Sequence, residues 1–142
     1  PGLLDYGGQM HFSGEIVTLK LFEDNSLVGE ALDSNGEGRV LVIDGGASMR
    51  CALLGDMLAS KAVRNAWSGF VINGCIRDSA EIAAMHLGVK ALGTHPLKSV
   101  KKGAGEKNIA VTFSQVTFRP GAYLYADRDG LVVASGPLPW HA

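Results

Sequence analysis

The eight residues Arg39–Gly46, RVLVIDGG, decide the fold. Val40, Leu41, Val42 and Ile43 follow one another without a polar interruption, so both faces of this strand are apolar, as in a parallel strand covered on both sides. A strand with one solvated face would alternate. After the Gly45–Gly46 turn, the stretch GDMLASKAVRNAW places Leu58, Ala59, Ala62, Val63 and Ala66 on one stripe of a helix beginning near Gly55. Strand, turn and helix in that order predict an α/β unit.

The pattern then repeats. GFVIN reads as a second strand, and Arg77–Asp78 leads into a helix from about Ser79 to His86, stopped by Gly88. VKALG is the strand after it. Upstream, HFSGEIVTLKL (11–21) reads as a half-buried strand, and Asn25 or Ser26 caps a short helix through Leu27, Val28, Ala31 and Leu32, with Asn35–Gly36 as its left-handed stop. The last third holds only short strands, IAVTF, VTF, AYLYA and LVVAS, separated by KKGAGEKN, RPG and DRDG turns. The fold class is α/β, with the helices in the first two-thirds and one domain across residues 1–142.

With 142 residues, 46% hydrophobic and 19% charged, the chain is large enough to bury about two-thirds of the surface its unfolded form exposes. A net charge of -1, with no long basic run, argues against nucleic acid as a direct ligand. Cys51 and Cys75 form no C-x-x-C pair, which suits a reducing compartment and excludes a Cys-only zinc site. No apolar stretch reaches the roughly 18 residues of a membrane span, and the amino end shows no charged region followed by an apolar one. A cytoplasmic protein is expected; the sequence opens on Pro1 rather than methionine.

Arg77 and Asp78 leave the carboxyl end of a buried strand, where open α/β sheets bind ligands. An adjacent guanidinium and carboxylate can hold an anionic substrate and a divalent cation side by side. Asp78 also has Glu81 three positions on, a capping box for the following helix. A second candidate is the helix opening Gly55-Asp56-Met57-Leu58, whose unpaired N–H groups can hold a carboxylate, although Asp56 there also complements the helix dipole. GGASMR has neither a Walker nor a G-x-G-x-x-G spacing and reads as a tight turn. ADRDG lacks the twelfth-position glutamate of a calcium loop and reads as a hairpin turn. KKGAGEK reads as a solvated loop, His11, His86, His95 and His141 show no metal-ligand spacing, and Lys61 reads as a surface lysine.

Taken together, LKLFEDNSLV, GRVLVIDGGASMRCALLGD, WSGFVINGCIRD and YLYADRDGLVV resemble the family of the regulator of ribonuclease E activity A, which includes the class II 4-hydroxy-4-methyl-2-oxoglutarate aldolases. The resemblance covers nearly the whole chain. It implies a β/β/α swivelling-domain fold, a layered sandwich, assembled as a homotrimer or a hexamer with sites near subunit boundaries. It places the keto-acid on Arg77 and a divalent metal, magnesium or manganese, on Asp78. Asp78 would then both cap its helix and carry the metal. The amides that bind the carboxylate match Gly55, Asp56, Met57 and Leu58, and the Asp56 carboxylate matches the group that orients a catalytic water.

The branch of the family that regulates ribonuclease commonly lacks the aspartate after the arginine; this sequence has it. The resemblance therefore implies a metal-dependent lyase for small 2-oxo acids, cleaving 4-hydroxy-4-methyl-2-oxoglutarate to pyruvate or decarboxylating oxaloacetate through one enolate. Longer aldolases of the family supply an acidic residue from a carboxyl-terminal extension to the neighbouring subunit. This sequence ends GPLPWHA, without an acid in its last dozen residues, so decarboxylation is the more robust expectation. The alternative is a non-enzymatic regulator that binds a ribonuclease or helicase through the ring surface. An older family label, demethylmenaquinone methyltransferase, finds no cofactor loop here.

Overall fold

The computed structural model describes residues 2–138. In chain order its elements are β1 (Leu4–Asp5), β2 (Phe12–Lys20), α1 (Ser26–Leu32), β3 (Val40–Asp44), β4 (Ala52–Leu54), α2 (Asp56–Arg64) and β5 (Gly69–Ile76). There follow α3 (Ser79–Ala83), β6 (Gly88–Thr94), β7 (Glu106–Lys107), β8 (Val111–Phe113), β9 (Val116–Phe118), β10 (Tyr123–Asp127) and β11 (Gly130–Ala134). The curled sheet runs β1-β6-β5-β3-β2-β10-β11, so the RVLVIDGG strand is its centre. β2, β3, β5 and β6 are mutually parallel, with antiparallel strands at both edges.

The unbroken apolar run is explained by two cores. Leu41 and Ile43 pack with Leu19, Phe70, Ile72 and the helical residues Val28, Leu32, Ala59, Ala62 and Ile82. Val40 and Val42 point the other way, into a cluster with Phe12, Ile16, Val71, Phe113, Phe118 and Leu124. The β8–β9 hairpin helps close that second face, with Phe113 and Phe118 stacked at 4.6 Å between ring centroids. Both faces are dry, so the period-2 signal disappears from β3. The protein is a single mixed α/β domain.

Several local expectations change. GFVIN continues through Gly74-Cys75-Ile76, because β4 pairs with this second half of β5. The helix expected to reach His86 ends at Ala83, and Gly88 begins β6 instead of serving only as a stop. Along α2, Ala59 and Ala62 are buried but Val63 is exposed, and Ala66, expected on the same stripe, is exposed beyond the end of the helix. The left-handed residues after α1 are Glu37 and Gly38, not Asn35–Gly36. A Cβ at Gly36 would lie 2.5 Å from the Trp67 ring, so that glycine serves packing. GGASMR is the expected tight turn: Gly46 and Ala47 have positive φ, and the N–H groups of Gly45 and Ala47 both donate to the Asn73 carbonyl. DRDG is the β10–β11 hairpin, and Lys61 is a surface lysine paired with Asp33 at 2.6 Å. His141 and the last four residues of GPLPWHA lie outside the described residues. Among those described, no helix is long and apolar enough to cross a membrane.

Neither Asn25 nor Ser26 caps α1 with its own side chain. Asp24 does so from one residue earlier, its Oδ1 accepting the Ser26 N–H at 2.9 Å and the Ser26 hydroxyl at 2.6 Å. Its Oδ2 accepts the N–H groups of Lys102 at 2.8 Å and Ala104 at 3.1 Å, so the KKGAGEK loop is tied down rather than free. Burial pushes the Asp24 carboxyl up, but the hydrogen bonds from Ser26, Ala104 and Lys102 outweigh it and hold it well below the usual carboxylate range. A depressed folded value stabilises above the unfolded value, about 3.9, and that stability is lost as pH falls below it. Asp24→Asn is expected to lower the melting temperature by several degrees at pH 7 and to flatten its decline between about pH 5 and pH 2. Thermal melts across that range check both; an unchanged acid slope would remove Asp24 from the account.

Candidate functional site

Two strand ends and one helix start meet at the carboxyl edge of the parallel sheet. Leu54, the last residue of β4, pairs with Ile76, and its carbonyl accepts the Arg77 N–H at 2.9 Å. This ladder bond sets Gly55, the N-cap of α2, against the residues that leave β5. Asp78 Oδ2 then accepts the Asp56 N–H at 3.0 Å, and Arg77 Nη1 lies 3.6 Å from the same oxygen. Gly55, Asp56, Arg77 and Asp78, separated by 22 positions between the two aspartates, form one cluster.

The capping box is not formed. Asp78 has φ 58° and ψ 43°, a left-handed conformation, and makes no side-chain bond to its own helix. An N-cap residue normally keeps its backbone in the β region so that its side chain can turn back on the helix, which the left-handed geometry prevents. The carboxylate instead caps α2 from across the sheet. Aspartate is among the few non-glycine residues that adopt this conformation readily. The Asp56 amide holds the Asp78 carboxyl below its ordinary value against the opposing effect of burial, helped by the Arg77 charge. The group is therefore ionised. Arg77 pairs with Asp78.

This arrangement changes the roles of the helix-opening amides. The Asp56 N–H is already satisfied, while those of Met57 and Leu58 precede the first intrahelical bond, from Ala59 to Gly55 at 3.0 Å, and need an acceptor from outside the helix. Only their backbones point to a ligand role: the Met57 side chain is 79% exposed, and Leu58 packs on the core. The Arg77 and Asp78 side chains remain 32% and 27% exposed, enough for a small solute to reach them. A groove of about 650 Å³ lined by His11, Ser13, Tyr125, Asp127 and Val132 lies on β2, β10 and β11, away from this cluster.

As to a metal, no group of three or more His, Cys, Asp or Glu side chains converges among the described residues. Cys51 and Cys75 are buried and desolvation pushes both thiols up, so they supply no thiolate. The ionised Asp78 is a hard oxygen donor, which suits magnesium or manganese completed by water and substrate oxygens and does not suit a zinc cage.

A model of the family described as RraA-like, Aldolase/RraA, matches residues 3–133. The chain belongs to the RraA-like family. Among its relatives, a protein of Alkalilimnicola ehrlichii named "Putative 4-hydroxy-4-methyl-2-oxoglutarate aldolase" is 60% identical over 138 residues, covering 97% of this chain and 86% of its own. A protein of the same name from Dechloromonas aromatica is 61% identical over 133 residues, covering 94% and 82%. Two solved structures superpose with a TM-score of 0.94. One, from Geobacillus kaustophilus, is called an S-adenosylmethionine: 2-dimethylmenaquinone methyltransferase and is 53% identical over 96% of this chain and 84% of its own. The other, called the RNA-processing inhibitor RraA from Thermus thermophilis, is 41% identical over 96% and 83%. The names carried by these similar proteins thus differ, although the two structures share one fold.

The bond across the sheet makes a prediction about Asp78. Asparagine keeps an acceptor oxygen and tolerates the left-handed backbone, so Asp78→Asn is expected to melt within a few degrees of the wild type. Asp78→Ala loses the acceptor and strains the backbone, and is expected to cost about 1–3 kcal/mol. Denaturant unfolding of both variants checks the order; equal stabilities would show that the Asp56–Asp78 bond contributes nothing to the fold.

Proposed function

We propose that this RraA-like protein is a divalent-metal lyase acting on small 2-oxo acids, cleaving 4-hydroxy-4-methyl-2-oxoglutarate or decarboxylating oxaloacetate. The observation that carries the proposal is the Arg77–Asp78 pair, ionised and partly open, set against the start of α2. The name carried by relatives about 60% identical supports the same chemistry.

In this reading the Met57 and Leu58 amides take the substrate's C1 carboxylate, with the helix dipole favouring the negative charge. Arg77 grips the 2-oxo oxygen, and its planar fork stabilises the negative charge that grows there as the bond to C3 breaks. For the aldol substrate, the C4 hydroxyl loses its proton as the C3–C4 bond breaks, giving one pyruvate directly and one as its enolate, which takes a proton at C3. For oxaloacetate, the C3–C4 bond breaks to release carbon dioxide and leaves the same enolate. Asp56, beside the pair, orients the water that moves these protons. A cation on Asp78 would act as a Lewis acid toward the forming enolate.

A regulator of RNA processing is the second reading, favoured by the name of the 41% identical structure. The exposed apolar side chains Phe22, Met49, Met57, Leu97 and Val100 belong to segments that follow β2, β3, β4 and β6, and they offer a surface for a protein partner or for a homotrimer or hexamer.

Pyruvate release from either substrate is expected to stop with chelator and return with magnesium or manganese. Arg77→Lys keeps the charge but not the bidentate geometry, and is expected to lower kcat/KM at least tenfold, with part of the loss in kcat. Steady-state kinetics beside a thermal melt check this. Chelator-insensitive turnover, or a lysine variant as active as the wild type, would contradict the reading.

A further inference from the structure

Gly55 has φ -123° and ψ -174°, extended backbone that any residue adopts, so its conformation does not require glycine. As an N-cap, a serine or aspartate in its place would serve α2 better. What glycine provides is space. A Cβ built there would lie 3.0 Å from Arg77 Nε, 3.1 Å from Arg77 Cζ and 3.1 Å from Asp78 Oδ2. Asp78 Oδ2 is the oxygen of the pair, and Nε and Cζ belong to the guanidinium whose Nη1 faces it; all three contacts are closer than carbon normally approaches.

The two neighbours do not yield equally. Asp78 Oδ2 is fixed by the Asp56 N–H at 3.0 Å, and the Arg77 main chain by the Leu54 carbonyl at 2.9 Å. Relief of the contact would therefore fall on the guanidinium, tilting its fork away from the carboxylate. The glycines of the fold differ in what they touch: a Cβ at Gly88 would strike the Phe12 ring at 2.0 Å, and one at Gly7 the Leu87 carbonyl at 2.0 Å, both contacts within the packing of the sheet.

We infer that Gly55 is a positioning residue of the lyase site, whose missing side chain is the space in which the Arg77 guanidinium and the Asp78 carboxylate come together. The inference rests on the proposed lyase reading and adds a requirement to it: the aspartate after the arginine is not sufficient unless position 55 is also bare. An RraA-like chain that keeps the R-D pair but carries a side chain at this position would hold the two groups apart.

The test compares Gly55→Ala and Gly55→Ser in the full chain. Both add the Cβ, but serine restores a strong N-cap, so the two effects separate. A misplaced catalytic group of this kind costs on the order of tenfold to a hundredfold. Both variants are expected to lose at least tenfold in kcat/KM on oxaloacetate, with serine melting no lower than the wild type. Manganese affinity, measured by calorimetry without substrate, is expected to stay within threefold of the wild type in both, because Asp78 keeps its place and only the guanidinium moves. Serine activity equal to the wild type would assign Gly55 to helix capping and overturn the proposal, as would kinetics within twofold of wild type in both variants, or a manganese affinity lowered tenfold or more, which would place the displacement on Asp78 instead of the guanidinium. A wild-type protein that neither binds manganese nor turns over substrate would overturn the lyase reading, and this proposal with it.

Discussion

One hydrogen bond, from the Asp56 N–H to Asp78 Oδ2 at 3.0 Å, joins the two halves of the candidate site. Without it, Arg77 and Asp78 would simply leave the end of β5, and α2 would start beside them with its amides unfilled. With it, the Asp78 carboxylate satisfies one helix donor, stays ionised, and is held where its remaining valence faces outward beside the guanidinium. The left-handed backbone at Asp78 belongs to the same bond. A strained conformation of this kind persists only where its surroundings over-determine it, and here the surroundings are the parallel ladder that pairs β4 with β5.

The sheet exists to hold that ladder steady. Because helices cover one face of β3 and the β8–β9 hairpin and β10 cover the other, the strands cannot slip by a residue without moving a whole apolar row into the wrong layer. This is also why the central strands were legible in the sequence. Val40–Ile43 and Phe70–Ile72 are apolar without interruption, and only burial on both faces produces that pattern. β2, the three helix starts and the DRDG hairpin followed from equally local signals. The two-residue strands β1 and β7 carried no such signal, since they pair only through edge contacts set by the rest of the sheet.

The site divides along the same line. That Arg77 and Asp78 would lie at the carboxyl edge of the sheet followed from their place after a buried strand, and the family resemblance implied that the opening of α2 would join them. Which donor Asp78 would take did not. S/T/D-x-x-E spacing describes a helix and its own first turn, and a bond between residues 22 apart leaves no trace in local spacing. The roles of Gly55 and Asp24 were hidden for a related reason: one acts through the absence of a side chain, the other by capping from a residue earlier than expected while gripping a loop 80 positions away. Proteins similar to this chain carry the names of an aldolase, a methyltransferase and an RNA-processing inhibitor, and the choice among these rests on such contacts rather than on the fold.

The bond itself can be observed in solution through the Asp56 backbone amide. If Asp78 accepts it as a carboxylate, the Asp56 amide proton resonance lies downfield and moves upfield on acidification, with a midpoint below about 3.9, the ordinary aspartate value. In Asp78→Asn the same resonance is expected to lose that titration while the spectrum otherwise stays native. An Asp56 amide that ignores the state of Asp78, or that titrates identically in the variant, would contradict the account at its centre.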